Sequence, residues 1–215
     1  MGKATFWNLI ARRYAKSAIA DQETYQKKLA ITREYLTPES KVLELGCGTG
    51  STALLHAPFV NHILATDVAA NMITIAQERL RETDIDNVSF ELADTDSLQA
   101  EPSSFDVILG LNILHLLDDV ETTLGNIHRL LRPEGVFISS TACLAGKYRA
   151  VRAIGGVFRV LGLFPTLKAF SENQLIEAHR RAGFNIEVQW QPDGSEVVFL
   201  VARKIEQQTR KHDQA

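Results

Sequence analysis

The segment Val42-Leu-Glu-Leu-Gly-Cys-Gly-Thr-Gly50 is the most informative part of the sequence. An apolar, strand-like run leads directly into three glycines at alternate positions, and a helical pattern follows. Alternate glycines allow a sharp turn and the close approach of a ligand to the backbone. The N-terminus of the next helix offers unpaired N–H groups. The segment therefore predicts a strand, a ligand-binding glycine loop and a helix.

From Lys41 onward, short apolar runs alternate with amphipathic stretches, which is the pattern of βα units around a parallel sheet. Strands are predicted over residues 41–45, 62–67, 88–92, 105–112, 135–141, 184–190 and 196–202. Helices are clearest over residues 71–82, 119–131 and 172–182, the last with Ser171 as N-cap and Gly183 as C-terminal stop. Residues 191–195, Gln-Pro-Asp-Gly-Ser, leave no space for a crossover helix. We therefore expect the last two strands to pair antiparallel.

Composition favours a single globular domain, since 45% of the 215 residues are hydrophobic and 23% are charged. The 23 basic and 26 acidic residues give a net charge of -3 without a basic run, so we expect no nucleic-acid partner. Cys47 and Cys143 are too few for a disulfide scaffold and too far apart for a typical metal site, so no metal is predicted. With no signal-peptide or membrane-spanning pattern, the expected location is the cytoplasm.

The glycine spacing separates two kinds of ligand. A dinucleotide site has the pattern G-x-G-x-x-G, whereas here the third glycine comes one residue early and Ser51 stands in its place. Glu44, two residues before the first glycine, would repel a pyrophosphate and attract an ammonium group. The loop therefore favours a ligand that carries positive charge.

Two acidic residues follow the next two strands. Asp67 ends the second strand, where a carboxylate accepts the hydroxyls of a ribose in such folds. Asp94 follows the third strand, where it is placed to accept from an adenine amino group. Capping a helix or ending a strand remains the alternative for both residues.

These motifs, together with Phe105-Asp-Val-Ile-Leu-Gly-Leu-Asn-Ile-Leu-His115, resemble the successive motifs of class I S-adenosylmethionine-dependent methyltransferases. The resemblance extends from Val42 to Thr141 and is greatest to the small-molecule branch that includes quinone-biosynthesis enzymes. It implies an α/β, Rossmann-like doubly wound sheet of seven strands, mostly parallel with a C-terminal antiparallel strand. N-terminal helices (residues 1–40) and a helical lid (142–170) would flank the cofactor-binding core (41–141). Residues 171–203 would complete the sheet before a tail (204–215).

The resemblance also implies which residues contact the cofactor S-adenosylmethionine. The glycine loop and Glu44 would hold its methionine part, Asp67 its ribose, and the residues after strands two and three its adenine. Tyr14 would lie near its carboxylate, with a core or surface aromatic as the alternative. The full set is Tyr14, Glu44, Gly46, Cys47, Gly48, Gly50, Asp67, Val68, Asp94, Thr95, Leu111 and Asn112.

His115 is the candidate catalytic residue. Its ordinary pKa near 6.5 suits a general base, while a histidine bonded to backbone beside the cofactor is the alternative. The expected reaction is methyl transfer to O, S or C of a small, apolar acceptor. A non-catalytic cofactor-binding module and a nicotinamide-dependent oxidoreductase are the competing hypotheses.

Residues 147–167 carry apolar side chains at helical spacing with arginines on another face. They are interpreted as an apolar lid over the acceptor, with a solvated helix packed on the core as one alternative and peripheral membrane contact as another. The pattern leaves the oligomeric state open.

Overall fold

The computed structural model describes residues 3–19, 21–94, 98, 100–145 and 170–205. The strands of this part are β1 (Lys41–Leu45), β2 (His62–Asp67), β3 (Val88–Leu92), β4 (Phe105–Leu111), β5 (Leu131–Ala142), β6 (Phe184–Trp190) and β7 (Val197–Lys204). The helices are α1 (Lys3–Lys16), α2 (Gln22–Arg33), α3 (Ser51–His56), α4 (Ala70–Arg81), α5 (Val120–Leu130) and α6 (Glu172–Arg181). Short 3-10 helices lie at Ala57–Phe59 and Leu114–Leu116.

The seven strands form a sheet in the order β3-β2-β1-β4-β5-β7-β6. Strands β1 to β5 pair in parallel, and β7 runs antiparallel to both β5 and β6. The predicted mostly parallel sheet with an antiparallel C-terminal strand is confirmed. The chain moves from β1 outward to β3 and then returns to the other side of β1 with β4. Ligands of open α/β sheets bind at such a switch point, beyond the carboxyl ends of the strands.

Apolar side chains on the two faces of the sheet explain why the inner strands are almost continuously hydrophobic. One face carries Leu43, Phe137 and Phe184 in a core that packs against α5 and α6. The other face carries Val42 and Ile63 in a core that packs against α3 and α4. Each fully buried side chain of this size stabilises the fold by about 1.5–3 kcal/mol.

Helix α6 begins at the predicted residue, Glu172, and ends at Arg181, one residue before the predicted end. Ser171 Oγ accepts a hydrogen bond from Gln174 N at 3.2 Å, while Gln174 Oε1 accepts from Ser171 N at 2.9 Å. This reciprocal pair satisfies two N–H groups that the first turn leaves free. Gly183 then takes a φ of +90°, which a residue with a side chain adopts at a cost.

Strand β5 begins earlier than predicted, at Leu131 instead of residue 135. Leu131 pairs with Phe105, and an irregularity in the register follows before Val107 pairs with Val136. Glu134 has a φ of +62°, so the extra residues form a kinked start that no alternation of apolar residues indicates. Strand β4 is one residue shorter than predicted because Asn112 turns to a φ of +60°.

The N-terminal helices lie over the carboxyl edge of the sheet. Helix α1 is fixed to α4, since Asn8 Oδ1 accepts from Asn71 N at 2.8 Å and Asn8 O accepts from Asn71 Nδ2 at 2.9 Å. Of the predicted lid, residues 142–170, all but 142–145 and 170 lie outside the described residues. Among the helices of the described part, none has the length and apolar character needed to cross a bilayer.

Candidate functional site

The three glycines of the loop after β1 serve two different purposes. A Cβ on Gly46 would lie 2.5 Å from Ile113 Cδ1, and a Cβ on Gly50 would lie 2.5 Å from Phe90 Cζ. A Cβ on Gly48 would instead meet only Tyr14 Cε1, at 3.7 Å. Gly46 and Gly50 therefore allow tight packing within the protein, whereas a Cβ on Gly48 would point into open space.

That space is a cleft of about 550 Å³ between the glycine loop, the ends of β4 and β5, and helices α1 and α2. Seven of the predicted cofactor-binding residues line it. They are Tyr14, Glu44, Gly46, Cys47, Gly48, Leu111 and Asn112. The cleft has the size and position of a small-molecule site at the switch point of an α/β sheet. The glycine loop and the end of β4 thus meet at one cleft.

Glu44 is the most unusual group of the cleft. Only 3% of the residue is exposed, and its Oε2 has no hydrogen-bond partner among the described residues. Burial, and to a smaller extent the nearby Asp67, raises the pKa of Glu44 to about 8. The carboxyl group is therefore mostly protonated at pH 7, and a cation in the cleft would favour its ionised form.

Asp67 holds the glycine loop in place. Its Oδ2 accepts from Gly48 N at 2.9 Å, and its Oδ1 accepts from Ala69 N at 2.8 Å. Burial raises the pKa of Asp67, while these backbone N–H groups act in the opposite direction. Asp67 does not line the cleft in the described part of the chain, but each oxygen keeps a lone pair for a further donor.

The other predicted adenine contacts are less close to the cleft. Val68 is half-buried and Asp94 is exposed, and neither is among the described residues of the cleft wall. Thr95 lies outside the described residues. Cys47 lies in the wall, and burial strongly raises the pKa of its thiol, which therefore stays protonated.

Asn112 closes the cleft at the end of β4. Its N–H donates to Ser140 O at 2.7 Å, and its Oδ1 accepts from Ser140 Oγ at 3.3 Å. The φ of +60° is uncommon for a residue with a side chain, and asparagine tolerates it better than most. These two bonds hold the Asn112 amide beside the cleft.

His115 is placed differently. It lies in the 3-10 helix Leu114–Leu116 and, within the described part of the chain, does not line the cleft. Its Nδ1 is buried with no hydrogen-bond partner among the described residues, and burial lowers its pKa. The ring is therefore neutral at pH 7, as a base must be, but the glycine loop and His115 are not brought together around one cavity.

Arg79 of α4 is a cleft residue that the motifs do not reveal. Its Nη1 donates to Thr49 Oγ1 at 2.8 Å and to Ser51 Oγ at 2.7 Å, and its Nη2 donates to Ala15 O at 2.9 Å. The guanidinium group thereby connects the end of α1 to the glycine loop. The neighbours in space are far apart in sequence, so no local pattern indicates this contact.

Helix α2 supplies a further face of the cleft. Tyr25, Lys28, Leu29 and Thr32 all line it, at the spacing of one side of a helix. Lys28 Nζ donates to Ser140 Oγ at 2.9 Å, and burial lowers the pKa of the amine. The helical periodicity of residues 25–32 is the sequence signal that would have found this face.

Comparison with known proteins agrees with the geometry. Residues 36–185 match the family described as "Methyltransferase domain". The chain is 31% identical over 100 residues to the uncharacterized methyltransferase YcgJ of Bacillus subtilis, covering 46% of this chain and 40% of that protein. It is 38% identical over 103 residues to a demethylmenaquinone methyltransferase of Leptospira interrogans, covering 46% of this chain and 41% of that protein. The matches thus span about two-fifths of these relatives' length.

The fold of a solved relative is also similar. The crystal structure of YcgJ superposes with a TM-score of 0.71 at 16% identity and covers 85% of this chain and 100% of that one. At this identity the likeness concerns the fold alone.

Proposed function

The chain belongs to the methyltransferase-domain family of class I S-adenosylmethionine-dependent enzymes, and we propose that it transfers a methyl group from S-adenosylmethionine to O, S or C of a small, apolar acceptor. The observation that carries the proposal is the pair formed by Glu44 and Gly48. A buried carboxyl without a partner among the described residues lines a cleft that the missing Cβ of Gly48 keeps open. A ligand with an ammonium group fits both features.

The residues of the cleft have distinct roles in this proposal. Glu44 would accept a hydrogen bond from the ammonium group, and its ionised form would be stabilised by that positive charge. Asp67 would hold the loop through Gly48 N and use its remaining lone pairs for the ribose hydroxyls. Tyr14, at the mouth of the cleft, would cover the methionine part.

When bound, the cofactor supplies a methyl group on a positively charged sulfur, which reacts by in-line displacement. The protein has to align the acceptor with that methyl group and exclude water, and alignment alone can supply several kcal/mol of the acceleration. Helices α1 and α2 form the wall opposite the glycine loop and would do both. His115 would serve as the general base for an unactivated hydroxyl, which requires it to approach the acceptor.

The test is an assay of labelled methyl transfer from S-adenosylmethionine into the small-molecule fraction of a cell extract. A labelled product that depends on the protein supports the proposal. Binding of S-adenosylmethionine with no labelled product in any extract would favour the non-catalytic binding module. Binding of NAD in preference to S-adenosylmethionine would favour an oxidoreductase.

A further inference from the structure

Lys28 lies in the cleft without an acidic partner at its ammonium group. Its Nζ donates to the neutral hydroxyl of Ser140 at 2.9 Å, and that hydroxyl donates in turn to Asn112 Oδ1 at 3.3 Å. In the described part of the chain no salt bridge to Lys28 occurs. A half-buried ammonium with a neutral partner is destabilised relative to one in water, unless a negative charge joins it.

The other charged groups of the cleft do not supply that negative charge at close range. Asp21 favours the charged form of Lys28 only through space, and its Oδ1 accepts from Thr24 N to cap α2. Glu44 is mostly protonated at pH 7 because burial raises its pKa. The bonds of Arg79 to Thr49, Ser51 and Ala15 hold its guanidinium against the glycine loop, whereas Lys28 donates to Ser140 and keeps two further N–H donors for a ligand.

Lys28 is on helix α2, and its partner Ser140 shows which part of the sheet edge its ammonium group lies over. Ser140 is on β5, two strands from β1 in the order β1-β4-β5. Neighbouring strands lie about 4.8 Å apart, so this point is roughly 10 Å from β1. The predicted nucleoside contacts follow β2 and β3, on the opposite side of β1. Lys28 therefore lies on the side of β1 away from the predicted nucleoside contacts.

We propose that Lys28, positioned by Ser140, binds the methyl acceptor through an acidic hydroxyl, so that the acceptor is a small apolar molecule whose phenol or enol oxygen is held as an oxyanion. This inference rests on the proposed function. An ammonium is a point charge that suits one oxygen atom, whereas a carboxylate is matched better by the planar fork of an arginine. The Lys28 ammonium, held by Ser140 Oγ, thus fits a single oxyanion.

The chemistry balances without a further reagent. The hydroxyl loses its proton to solvent on binding, and the resulting oxyanion is neutralised by the Lys28 ammonium. The acceptor oxygen then forms a bond to the methyl carbon while the carbon–sulfur bond breaks and its electron pair stays on sulfur. An anion and a cation become two neutral products, and Lys28 keeps its proton throughout.

The experiment uses 4-nitrophenol, because its phenol and phenolate forms absorb at different wavelengths. The full-length protein is titrated with 4-nitrophenol across a pH series, with and without saturating S-adenosylhomocysteine. A nearby opposite charge lowers a pKa by about 1–3 units, so the bound phenol should ionise at least tenfold more readily than the free one. The neutral analogue 4-nitrobenzyl alcohol should bind at least tenfold more weakly than 4-nitrophenolate. The affinity for 4-nitrobenzoate should not exceed the affinity for 4-nitrophenolate.

Matched variants separate charge from structure. Lys28→Met removes the ammonium and should return the pKa of the bound phenol to its free value or above. Lys28→Arg keeps the positive charge and should preserve most of the shift. The control is Lys27→Met, on the same helix, where the ammonium lies 4.2 Å from the centre of the Trp190 ring and outside the described wall of the cleft. This control should behave as the wild type does.

Each remaining outcome overturns the inference. The first is that the bound phenol has the same pKa in wild type and Lys28→Met. The second is that 4-nitrophenolate binds no more tightly than 4-nitrobenzyl alcohol, and the third is that 4-nitrobenzoate binds more tightly than 4-nitrophenolate. Affinity for S-adenosylhomocysteine is measured separately and should change less than twofold in Lys28→Met. If the wild type does not bind S-adenosylhomocysteine, the proposed function is contradicted. If it binds S-adenosylhomocysteine but the pKa of bound 4-nitrophenol does not depend on Lys28, this inference alone is contradicted.

Discussion

Binding of S-adenosylmethionine should release a proton from Glu44. In the free protein burial raises the pKa of this carboxyl to about 8, so at pH 7 it carries about 0.9 proton by the ordinary titration equation. An ammonium at hydrogen-bond distance from Oε2, which has no partner among the described residues, lowers that pKa by several units. The complex then holds the carboxylate, and about 0.9 proton leaves per ligand bound.

The assay is isothermal titration calorimetry at pH 7 in two buffers with different ionisation enthalpies. The difference between the observed enthalpies gives the number of protons released. The amino group of the ligand also titrates near neutral pH, and the variant Glu44→Gln reports this contribution alone. We expect wild type to release about 0.9 proton more than Glu44→Gln.

The affinity of the wild type gives an independent check. Because Glu44 has to ionise on binding, the association constant should rise about tenfold from pH 6 to pH 7. Equal proton release in the two proteins, together with an affinity that does not change between these pH values, would refute the assignment of Glu44 to a cationic group.

Three further predictions concern other parts of the molecule. Gly48→Ala and Gly194→Ala place a side chain at a φ of +55° and +70° respectively, and each should cost about 1–2 kcal/mol in urea unfolding. Only Gly48→Ala should also weaken S-adenosylmethionine binding, and equal affinities in the two variants would contradict the position of the cofactor. With an unactivated alcohol as acceptor, His115→Ala should lower turnover by about 10²-fold because such a hydroxyl needs a base, and unchanged turnover with that alcohol would remove His115 from the mechanism. Burial lowers the pKa of His56 to about 4, so below pH 6.5 the unfolded chain binds a proton that the folded protein does not, and stability is lost as pH falls. From pH 7.5 to 5.5 wild type should lose about 1 kcal/mol more unfolding free energy than His56→Leu, and parallel losses would show that His56 titrates normally.

The strands were predictable because burial on both faces leaves a continuous apolar signal. Strands β1, β2, β3 and β6 begin and end at the predicted residues. The start of β5 could not be predicted, because the φ of +62° at Glu134 and the irregular register after Phe105 depend on pairing with β4. Alternation of side chains carries no information about such a kink.

The part of the cleft formed by residues at the ends of strands was predictable from the sequence. Glu44 and Gly48 meet in the cleft because β1, which carries Glu44, runs directly into the loop that carries Gly48 at the switch point. Lys28 and Ser140 are 112 residues apart, and Arg79 contacts residues up to 64 positions away. Contacts of this kind come from helix packing over the sheet edge, which a single sequence does not encode locally.

The most direct test of the central claim is a crystal structure of the protein with S-adenosylhomocysteine. The ligand should lie in the cleft of about 550 Å³, with its amino group within hydrogen-bond distance of Glu44 and its backbone contact at Gly48. A ligand bound outside this cleft, or one whose amino group lies away from Glu44, would contradict it.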